Sequence, residues 1–311
     1  MTHNRKPIPK SILIFGAANH IGRPMAEYIA KTAPQVQLCL VSSNEDRAEA
    51  LKKDFPKADI VVADYYDLPS MEAALDGIEG VYMSSPITVD PKRSMNNFVA
   101  AAKKSGTLVH MVRQIAIMPE YNKRLNPREL PARPGVDPTP DYKIKEILDD
   151  SLLPVTYINF GGSFMDNFLK VTKIGIRRER KLIWHGRKVP YVDPREIAEV
   201  VANLLLSDNH RHIGCTHTIN NGHDNHTAEG VAKVMSEAFG ETITFEGSRD
   251  AFLENYSSVF GPVAPGIWAF FEYESEYEVG WALNDFAETM LGRKPKTLHD
   301  WFVEHKDQIL G

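Results

Sequence analysis

The chain of 311 residues has only two cysteines, no long apolar run and no excess of positive charge. The two thiols, Cys39 and Cys215, are too few for a disulfide framework or a cysteine zinc site. No stretch approaches the roughly 20 apolar residues that span a bilayer, and the N-terminus is polar, without the apolar core of a signal peptide. The formal net charge of −5 argues against non-specific nucleic-acid binding. We therefore expect a cytoplasmic protein that binds neither membrane nor nucleic acid.

Histidines are concentrated in one segment, and this raises the question of a metal site. They are His210, His212, His217, His223 and His226. Their spacings match no metal-ligand template. We therefore expect surface histidines and no bound metal. A charged run at 177–181 predicts a solvated hairpin or loop.

An apolar stretch at 11–15 runs into a turn of small residues, Gly-Ala-Ala-Asn-His-Ile-Gly at 16–22, and helical spacing follows. Strand, tight turn and helix N-terminus in this order place a dinucleotide diphosphate on free backbone amides. We expect Gly16 to permit the turn and Gly22 to let helix and strand pack closely. Asn19 stands where a third glycine is expected, and asparagine tolerates the positive φ that such a position requires. An ordinary strand–helix turn without a ligand is the alternative.

Strand and helix patterns then alternate with short links up to residue 160. Strand patterns lie at 36–41, 58–64, 81–86, 108–112 and 155–160, and helical patterns lie at 48–54, 70–75, 95–104 and 141–151. This alternation is typical of a doubly wound parallel sheet of Rossmann type, an α/β fold. Between the last two strands, six prolines at 118–140 predict a long loop, either a lid or an ordered surface excursion.

Ligands of such sheets lie beyond the carboxyl ends of the strands. The cofactor-binding candidates at these ends are Gly16, Ala18, Asn19, His20, Ile21, Gly22, Ser42, Ser43, Arg47, Asp64, Tyr65, Ser84, Ser85, Pro86, Gln114, Phe160 and Gly161. Hydroxyls at 42–43 and Arg47 one turn further on favour the additional phosphate of NADP. Two nearby carboxylates, Glu45 and Asp46, and a solvated interpretation of Arg47 leave NAD open.

Several segments together resemble the NmrA-like family, atypical short-chain dehydrogenases related to isoflavone and phenylcoumaran reductases. These segments are Gly16–Gly22, Ala63-Asp64-Tyr65, 153–158 followed by 162–167, 189–198, and 291–295 before Trp301. The resemblance implies a Rossmann domain that binds NAD(P), at 1–160, and a smaller C-terminal substrate-binding part, at 161–311, some segments of which return to the Rossmann sheet. The family contains reductases and also redox-sensing regulators without known chemistry.

The resemblance to short-chain dehydrogenases also implies a catalytic set, which this chain departs from. Those enzymes use a tyrosine as acid, with a pKa lowered by a lysine one helical turn on, and a serine near the end of the fifth strand. Here the serine position reads Arg113-Gln114, and the residue four after Tyr142 is Glu146. Tyr142 with Lys145, three residues on, can rebuild the pair on one helix face. That both are merely solvated helix residues is an equally weighted alternative.

The C-terminal half contains many aromatic residues between 251 and 278, at helical spacing. Aromatics in this pattern usually form core, and the resemblance also allows them to form a substrate wall. Phe164 and Asn167, just past the sixth strand, are the substrate-binding candidates. We expect an NAD(P)-dependent oxidoreductase acting on a small aromatic or hydrophobic substrate. A dinucleotide-sensing regulator without turnover and a lyase or isomerase on the same fold are the alternatives, and a homodimer is a possible assembly.

Overall fold

The computed structural model describes residues 5–86, 89–116, 140–160, 162–276 and 282–311. Its residues group into two compact units. Of the described residues, the first unit takes 5–86, 89–116, 140–160 and 195–218, and the second takes 162–194, 219–276 and 282–311. Gly161 and nearly all of the proline-rich segment lie outside the described residues, so the predictions for them stay predictions.

Twelve strands and twelve helices are described. The strands are β1 (Ser11–Ile14), β2 (Gln37–Ser42), β3 (Asp59–Val62), β4 (Gly80–Met83), β5 (His110–Ile115), β6 (Val155–Phe160), β7 (Ser163–Phe164), β8 (Lys181–Ile183), β9 (Val189–Val192), β10 (Thr216–Ile219), β11 (Asn225–His226) and β12 (Thr244–Glu246). The helices are α1 (Gly22–Thr32), α2 (Glu45–Asp54), α3 (Leu68–Leu75), α4 (Pro91–Ser105), α5 (Pro140–Ser151), α6 (Lys173–Glu179), α7 (Pro194–Leu206), α8 (Ala228–Phe239), α9 (Arg249–Phe260), α10 (Ala264–Glu276), α11 (Phe286–Leu291) and α12 (Leu298–Leu310).

A seven-stranded sheet in the order β10-β6-β5-β4-β1-β2-β3 forms the centre of the first unit. The pairs β1–β2, β1–β4, β2–β3, β4–β5 and β5–β6 are parallel. Strands β1 and β4 are buried along their whole length, as expected where both faces of a parallel sheet are covered. The predicted α/β fold with a parallel sheet of Rossmann type is therefore confirmed.

Local sequence signals place the helix ends in this unit. The side chains of Asn44, Asp67 and Asp90 accept hydrogen bonds from the first turns of α2, α3 and α4. Because Asp90 caps α4 and Pro91 suits its first turn, this helix begins four residues before the predicted position. It ends at Ser105, and Gly106 follows in the left-handed conformation that terminates a helix.

Strand β5 differs from its prediction, and the difference affects the site. The pattern predicted a strand ending at residue 112, yet β5 continues to Ile115 and includes Arg113 and Gln114. Arg113 is 1% exposed. A charged residue is not a signal for a buried strand. Arg113 is tolerated here because two of its nitrogens donate hydrogen bonds to residues at the end of the neighbouring strand β4.

The second unit contains a three-stranded sheet, β11-β9-β7, and a two-stranded parallel sheet, β12-β8. Its core packs α8 and α12 around aromatic side chains that include Phe168, Trp301 and Phe302. The prediction that 177–181 forms a hairpin or loop is wrong, because the run spans the end of α6 and the start of β8. Arg180 ends the helix in the left-handed conformation. Among the described helices, none has the length and apolar character needed to cross a bilayer.

Candidate functional site: a cleft at the carboxyl edge of the sheet

The turn between β1 and α1 depends on two glycines that hold its backbone close together. Gly16 has a φ of +73°, and a Cβ there would lie 2.6 Å from Asn19 Nδ2. A Cβ on Gly22, the first residue of α1, would lie 2.2 Å from the carbonyl oxygen of Gly16. Side chains are therefore excluded at both positions, which leaves a tight turn of backbone in front of a helix N-terminus.

Asn19 is needed in this turn for its side chain. The expectation that it takes a positive φ is wrong, since it is not among the positive-φ residues and Gly16 provides that conformation. Its Oδ1 accepts hydrogen bonds from the amides of Ile21 (2.9 Å) and Gly22 (2.6 Å), and its Nδ2 donates to Ser84 Oγ (3.1 Å). The carboxamide thus satisfies amides at the start of α1 and joins the turn to the residues after β4.

The turn still offers backbone donors to an anion. Within the described part of the chain, the amides of Ala17 and Ala18 have no hydrogen-bond acceptor. The amide of Asn19 is used by the carbonyl of Gly16. Two unpaired amides at the positive end of a helix favour a negatively charged group.

A cleft of about 640 Å³ opens in front of this turn. Its lining is Gly16, Ala17, Ala18, Asn19, Val41, Ser42, Ser43, Arg47, Leu51, Ala63, Tyr65, Ser84, Ser85, Pro86 and Gln114. The structure thus brings together most of the predicted cofactor residues. His20, Ile21, Gly22, Asp64 and Phe160 are not in the lining, and their binding roles stay predictions.

Four apolar lining residues, Ala17, Val41, Leu51 and Ala63, are not among the predicted cofactor-binding residues. A signal for Leu51 was present, because it follows Arg47 by four residues and so shares its face of α2. Val41 and Ala63 flank the ends of β2 and β3, where only polar and glycine residues were considered. They give one end of the cleft an apolar surface.

The charge of the cleft is set by one side chain. Among the described lining residues, Arg47 is the only one with a formal charge at pH 7. Its Nη1 donates to Ser43 Oγ at 3.2 Å. Glu45 and Asp46 are exposed in the first turn of α2 and are not in the lining. Burial raises the pKa of Tyr65 to about 12, so this phenol is neutral in the cleft, and the cleft has a positive end.

Gln114 closes the cleft at the end of β5 with a fixed orientation. The hydroxyl of Tyr82, a fully buried residue, donates to Gln114 Oε1 at 2.6 Å. Burial raises the pKa of Tyr82, which keeps its proton. Because Oε1 is engaged, the amide nitrogen Nε2 is the polar group that Gln114 can offer to a ligand, as a donor.

Arg113 lies beside it in the sheet and holds another lining residue. Its Nη2 donates to Ser85 Oγ (2.7 Å), and its Nη1 donates to the carbonyl of Met83 (3.2 Å). Burial lowers its pKa, and the carboxylate of Asp141, 3.8 Å away, opposes this shift. Asp141 also accepts from the amide of Ala116 at 2.9 Å, which fixes the start of α5 to the end of β5.

Tyr142 and Lys145 lie on α5, three residues apart, and neither is in the lining of the cleft. Lys145 Nζ contacts Asp149 Oδ2 at 2.6 Å and lies 4.5 Å from the ring centre of Tyr157. The hydroxyl of Tyr157 donates to the other oxygen of Asp149 at 2.8 Å. Lys145 is therefore engaged by a carboxylate, and a catalytic role for the pair stays a prediction.

The other candidates lie elsewhere in the chain. Phe164 and Asn167 follow β6 in the second unit, where Asn167 Nδ2 is 3.5 Å from Ser163 Oγ. Within the part of the chain that the structure describes, no group of three potential ligands can hold a metal ion. His212 Nδ1 lies 3.1 Å from His217 Nε2 in the first unit, so these two rings pair with each other.

A model of the NmrA-like family matches residues 9–302, nearly the whole chain. The chain belongs to the NmrA-like family. This confirms the resemblance found in the sequence. No curated protein matches the chain by sequence.

Among solved structures, the chain is similar to a triphenylmethane reductase from Citrobacter sp. in complex with NADP(H), with a TM-score of 0.75 and 18% identity over 95% of this chain and 99% of that one. It is also similar to an NADPH-dependent quinone oxidoreductase from Escherichia coli with NADPH bound, with a TM-score of 0.75 and 19% identity over 94% and 99%. NmrA, a negative transcriptional regulator crystallised with NADP, gives a TM-score of 0.71 and 14% identity over 97% and 95%. NmrA-like folds thus include reductases and a regulator.

Proposed function

We propose that this NmrA-like protein binds NADP(H) in the cleft of its first unit and transfers hydride to a small aromatic or hydrophobic acceptor. The observation that carries the cofactor choice is Arg47, the one formally charged side chain among the described lining residues, which donates to the hydroxyl of Ser43 and lines the cleft together with Ser42. A carboxylate at this place would bind a ribose hydroxyl of NAD, whereas an arginine accommodates the 2′-phosphate of NADP. The NADP(H) complexes of similar proteins support the same choice.

The residues present fit this cofactor along the cleft. The amides of Ala17 and Ala18 would bind the diphosphate, and Ser42, Ser43 and Arg47 would bind the phosphorylated ribose. When bound, the reduced nicotinamide supplies a hydride, which carries two electrons and one proton to the acceptor. A second proton comes from an acid or from water. The protein positions the reactants and contributes donors to the acceptor.

Gln114 is our candidate for the donor that replaces the missing serine. Tyr82 holds its carbonyl oxygen, so its Nε2 can donate to an acceptor oxygen or to the cofactor carboxamide. Tyr142, with Lys145, stays the candidate acid. In an assay of NADPH oxidation with quinone and dye acceptors, replacing Tyr142 by Phe should lower kcat if this tyrosine delivers the proton.

Replacing Arg47 by Ala tests the cofactor choice. We expect NADPH to bind on the order of tenfold more weakly, since one charge-assisted contact to a phosphate is lost, and NADH affinity to change less than about twofold. Fluorescence titration of the bound reduced nicotinamide measures both. Lys53→Ala, which removes an exposed charge from the same helix, is the matched control. An equal loss for both dinucleotides, or none, would contradict the proposal.

A dinucleotide-sensing regulator is the second candidate. It is favoured by the engagement of Lys145 with Asp149, which occupies the lysine that would lower the pKa of an acid, and by the likeness to NmrA. Tight NADPH binding by the wild type with no oxidation by any quinone or dye acceptor would favour this regulator over the reductase.

A further inference from the structure

The segment that follows β8 in the second unit buries an arginine without satisfying it. Arg187 is 9% exposed, and its guanidinium carbon lies 3.9 Å from the ring centre of Phe271. Its Nε lies 2.7 Å from Glu274 Oε2, an ion pair whose alignment is not that of a hydrogen bond. Across the described residues, the buried Nε and Nη1 have no hydrogen-bond acceptor.

An unsatisfied guanidinium in this position is costly. Arginine has five N–H donors and stays charged at any physiological pH. Buried donors are nearly always paired, and an exception is explained by strain, by a functional role or by a water or other small molecule that supplies the acceptor. The ion pair offsets the charge of Arg187 but leaves Nε and Nη1 without a hydrogen-bond acceptor among the described residues, so these two donors can serve an oxygen acceptor.

His185 supplies a second donor at the same place. Its Nδ1 accepts a hydrogen bond from the backbone amide of Arg187 at 3.1 Å. A neutral ring that accepts at Nδ1 carries its proton on Nε2, which is then a donor. Burial and the nearby Arg187 charge lower the pKa of His185 to about 4, so the ring is neutral at pH 7.

Aromatic rings surround these donors. His185 lies edge-on to Trp268, with ring centres 4.7 Å apart, and 6.0 Å from Phe271, the ring that Arg187 also contacts. Trp184 lies 5.3 Å from Phe271 on the same cluster. Both residues thus lie beside the same aromatic ring, that of Phe271, which suits a ligand that carries an oxygen on an aromatic ring.

The charges of the cluster select a neutral oxygen over an anion. Arg187 is balanced by Glu274, and a second carboxylate, Glu272, accepts from Trp268 Nε1 at 2.7 Å. With His185 neutral, the cluster offers donors but no net positive charge. A carboxylate ligand would be repelled by the two glutamates, whereas a ketone or quinone oxygen would not.

We propose that His185 and Arg187 bind the oxygen of a neutral aromatic carbonyl compound whose ring packs against Trp268 and Phe271. As a substrate site, this assignment rests on the reductase function proposed above, and it adds the chemical class of the acceptor. As a binding site, it stands on the second unit alone.

Ligand-observed fluorine NMR on the full chain tests the assignment without cofactor. The probes are para-fluoroacetophenone, a neutral aryl ketone, and para-fluorobenzoate, its anionic counterpart. We expect the ketone to bind at least about tenfold more tightly than the carboxylate. His185→Phe keeps a ring in the cluster and removes the donor, so it should weaken ketone binding roughly threefold to tenfold. His299→Phe, at a half-exposed position, should leave it unchanged.

A second variant removes the charges without leaving one of them unpaired. Arg187→Gln combined with Glu274→Gln should remain folded by thermal denaturation and bind the ketone more weakly than the wild type. Equal affinity for both probes, no binding of the ketone, or unchanged binding in both variants would overturn the assignment. NADPH titration of the same samples separates the two proposals, because NADPH binding without ketone binding refutes this site alone, and absent NADPH binding refutes the proposed function.

Discussion

The cleft of the first unit and the aromatic cluster of the second unit are built from different material. The cleft depends on backbone, with a glycine turn and small residues in front of a helix. The cluster depends on side chains, with His185 and Arg187 after β8 and Trp268, Phe271 and Glu274 on α10. A site built from backbone amides tolerates different side chains around it but no Cβ on its own glycines. A site built from side chains depends on each residue that forms it.

The largest effect we predict is that of adding one methyl group to the turn. Gly22→Ala places a Cβ 2.2 Å from the backbone oxygen of Gly16. The backbone must therefore move, and we expect a loss of at least about 4 kcal/mol in the free energy of unfolding. Urea denaturation measures it.

The matched control is Gly230→Ala in the first turn of α8. A Cβ there would lie 3.4 Å from its nearest neighbour, which is an ordinary contact distance. We expect a change of less than about 0.5 kcal/mol. Similar losses for both variants would remove the distinction drawn between the turn and an ordinary helical glycine.

The aromatic cluster should instead be sensitive to a single side chain. Arg187→Gln removes the cation that lies 2.7 Å from the carboxylate of Glu274, which is 11% exposed. We expect a loss of about 3 kcal/mol in the free energy of unfolding, and most of it should return when Glu274→Gln is added. Arg23→Gln is the control, because Arg23 also pairs with a carboxylate and lies near a ring, but both ion-pair partners are about 40% exposed. It should cost under about 1 kcal/mol.

Acid should destabilise both units through one histidine in each, the buried His110 and the half-buried His185, whose pKa values are lowered. Burial and the charge of Lys6 lower the pKa of His110 in the first unit to about 3. The unfolded chain takes up this proton below about pH 6.5, while the folded chain does not until about pH 3. Stability attributable to His110 is therefore intact above pH 6.5 and declines by about 1.4 kcal/mol per pH unit as the pH falls through this window.

Urea denaturation at pH 7 and pH 5 measures this loss, which amounts to about 2 kcal/mol for His110. His110→Asn should reduce the pH dependence, and His185→Phe should separate the contribution of the second unit, where the lowered pKa is about 4. An unfolding free energy that is independent of pH in this range would contradict the neutral state of both rings in the folded protein.

The parallel sheet could be predicted from the sequence because apolar strand patterns and helix caps are formed by residues close together in the chain. Strand β6 lies at 155–160 as predicted, and the parallel sheet and the family are confirmed. The predicted end of β5 was wrong because Arg113 is satisfied by hydrogen bonds to Met83, in β4, and to Ser85, just after β4, and such long-range contacts leave no local pattern in the sequence. The prediction of a hairpin or loop at 177–181 was wrong because it considered only the charged side chains. The buried neighbours Ile176 and Leu182 belong to a helix and a strand, respectively.

At the site, too, features with a local sequence pattern were predicted and features that depend on long-range contacts were not. Ser42, Ser43 and Arg47 line the cleft as the pattern suggested, because residues just after a parallel strand meet at one edge. The role of Asn19 was misjudged, since its bond to Ser84 joins residues 65 apart in the chain. The donors of Arg187 gave no sequence signal at all, because an unsatisfied buried group is a property of packing.

The central claim is that backbone amides of the 16–22 turn bind the diphosphate of NADP(H). The most direct measurement is NADPH titration of the wild type and of Asn19→Asp, with thermal denaturation of both. A carboxylate at this position still accepts from the amides of Ile21 and Gly22 but repels a diphosphate. We predict an affinity loss on the order of 30-fold, about 2 kcal/mol, with unchanged or higher stability. Equal affinities, or no NADPH binding to the wild type, would contradict the account.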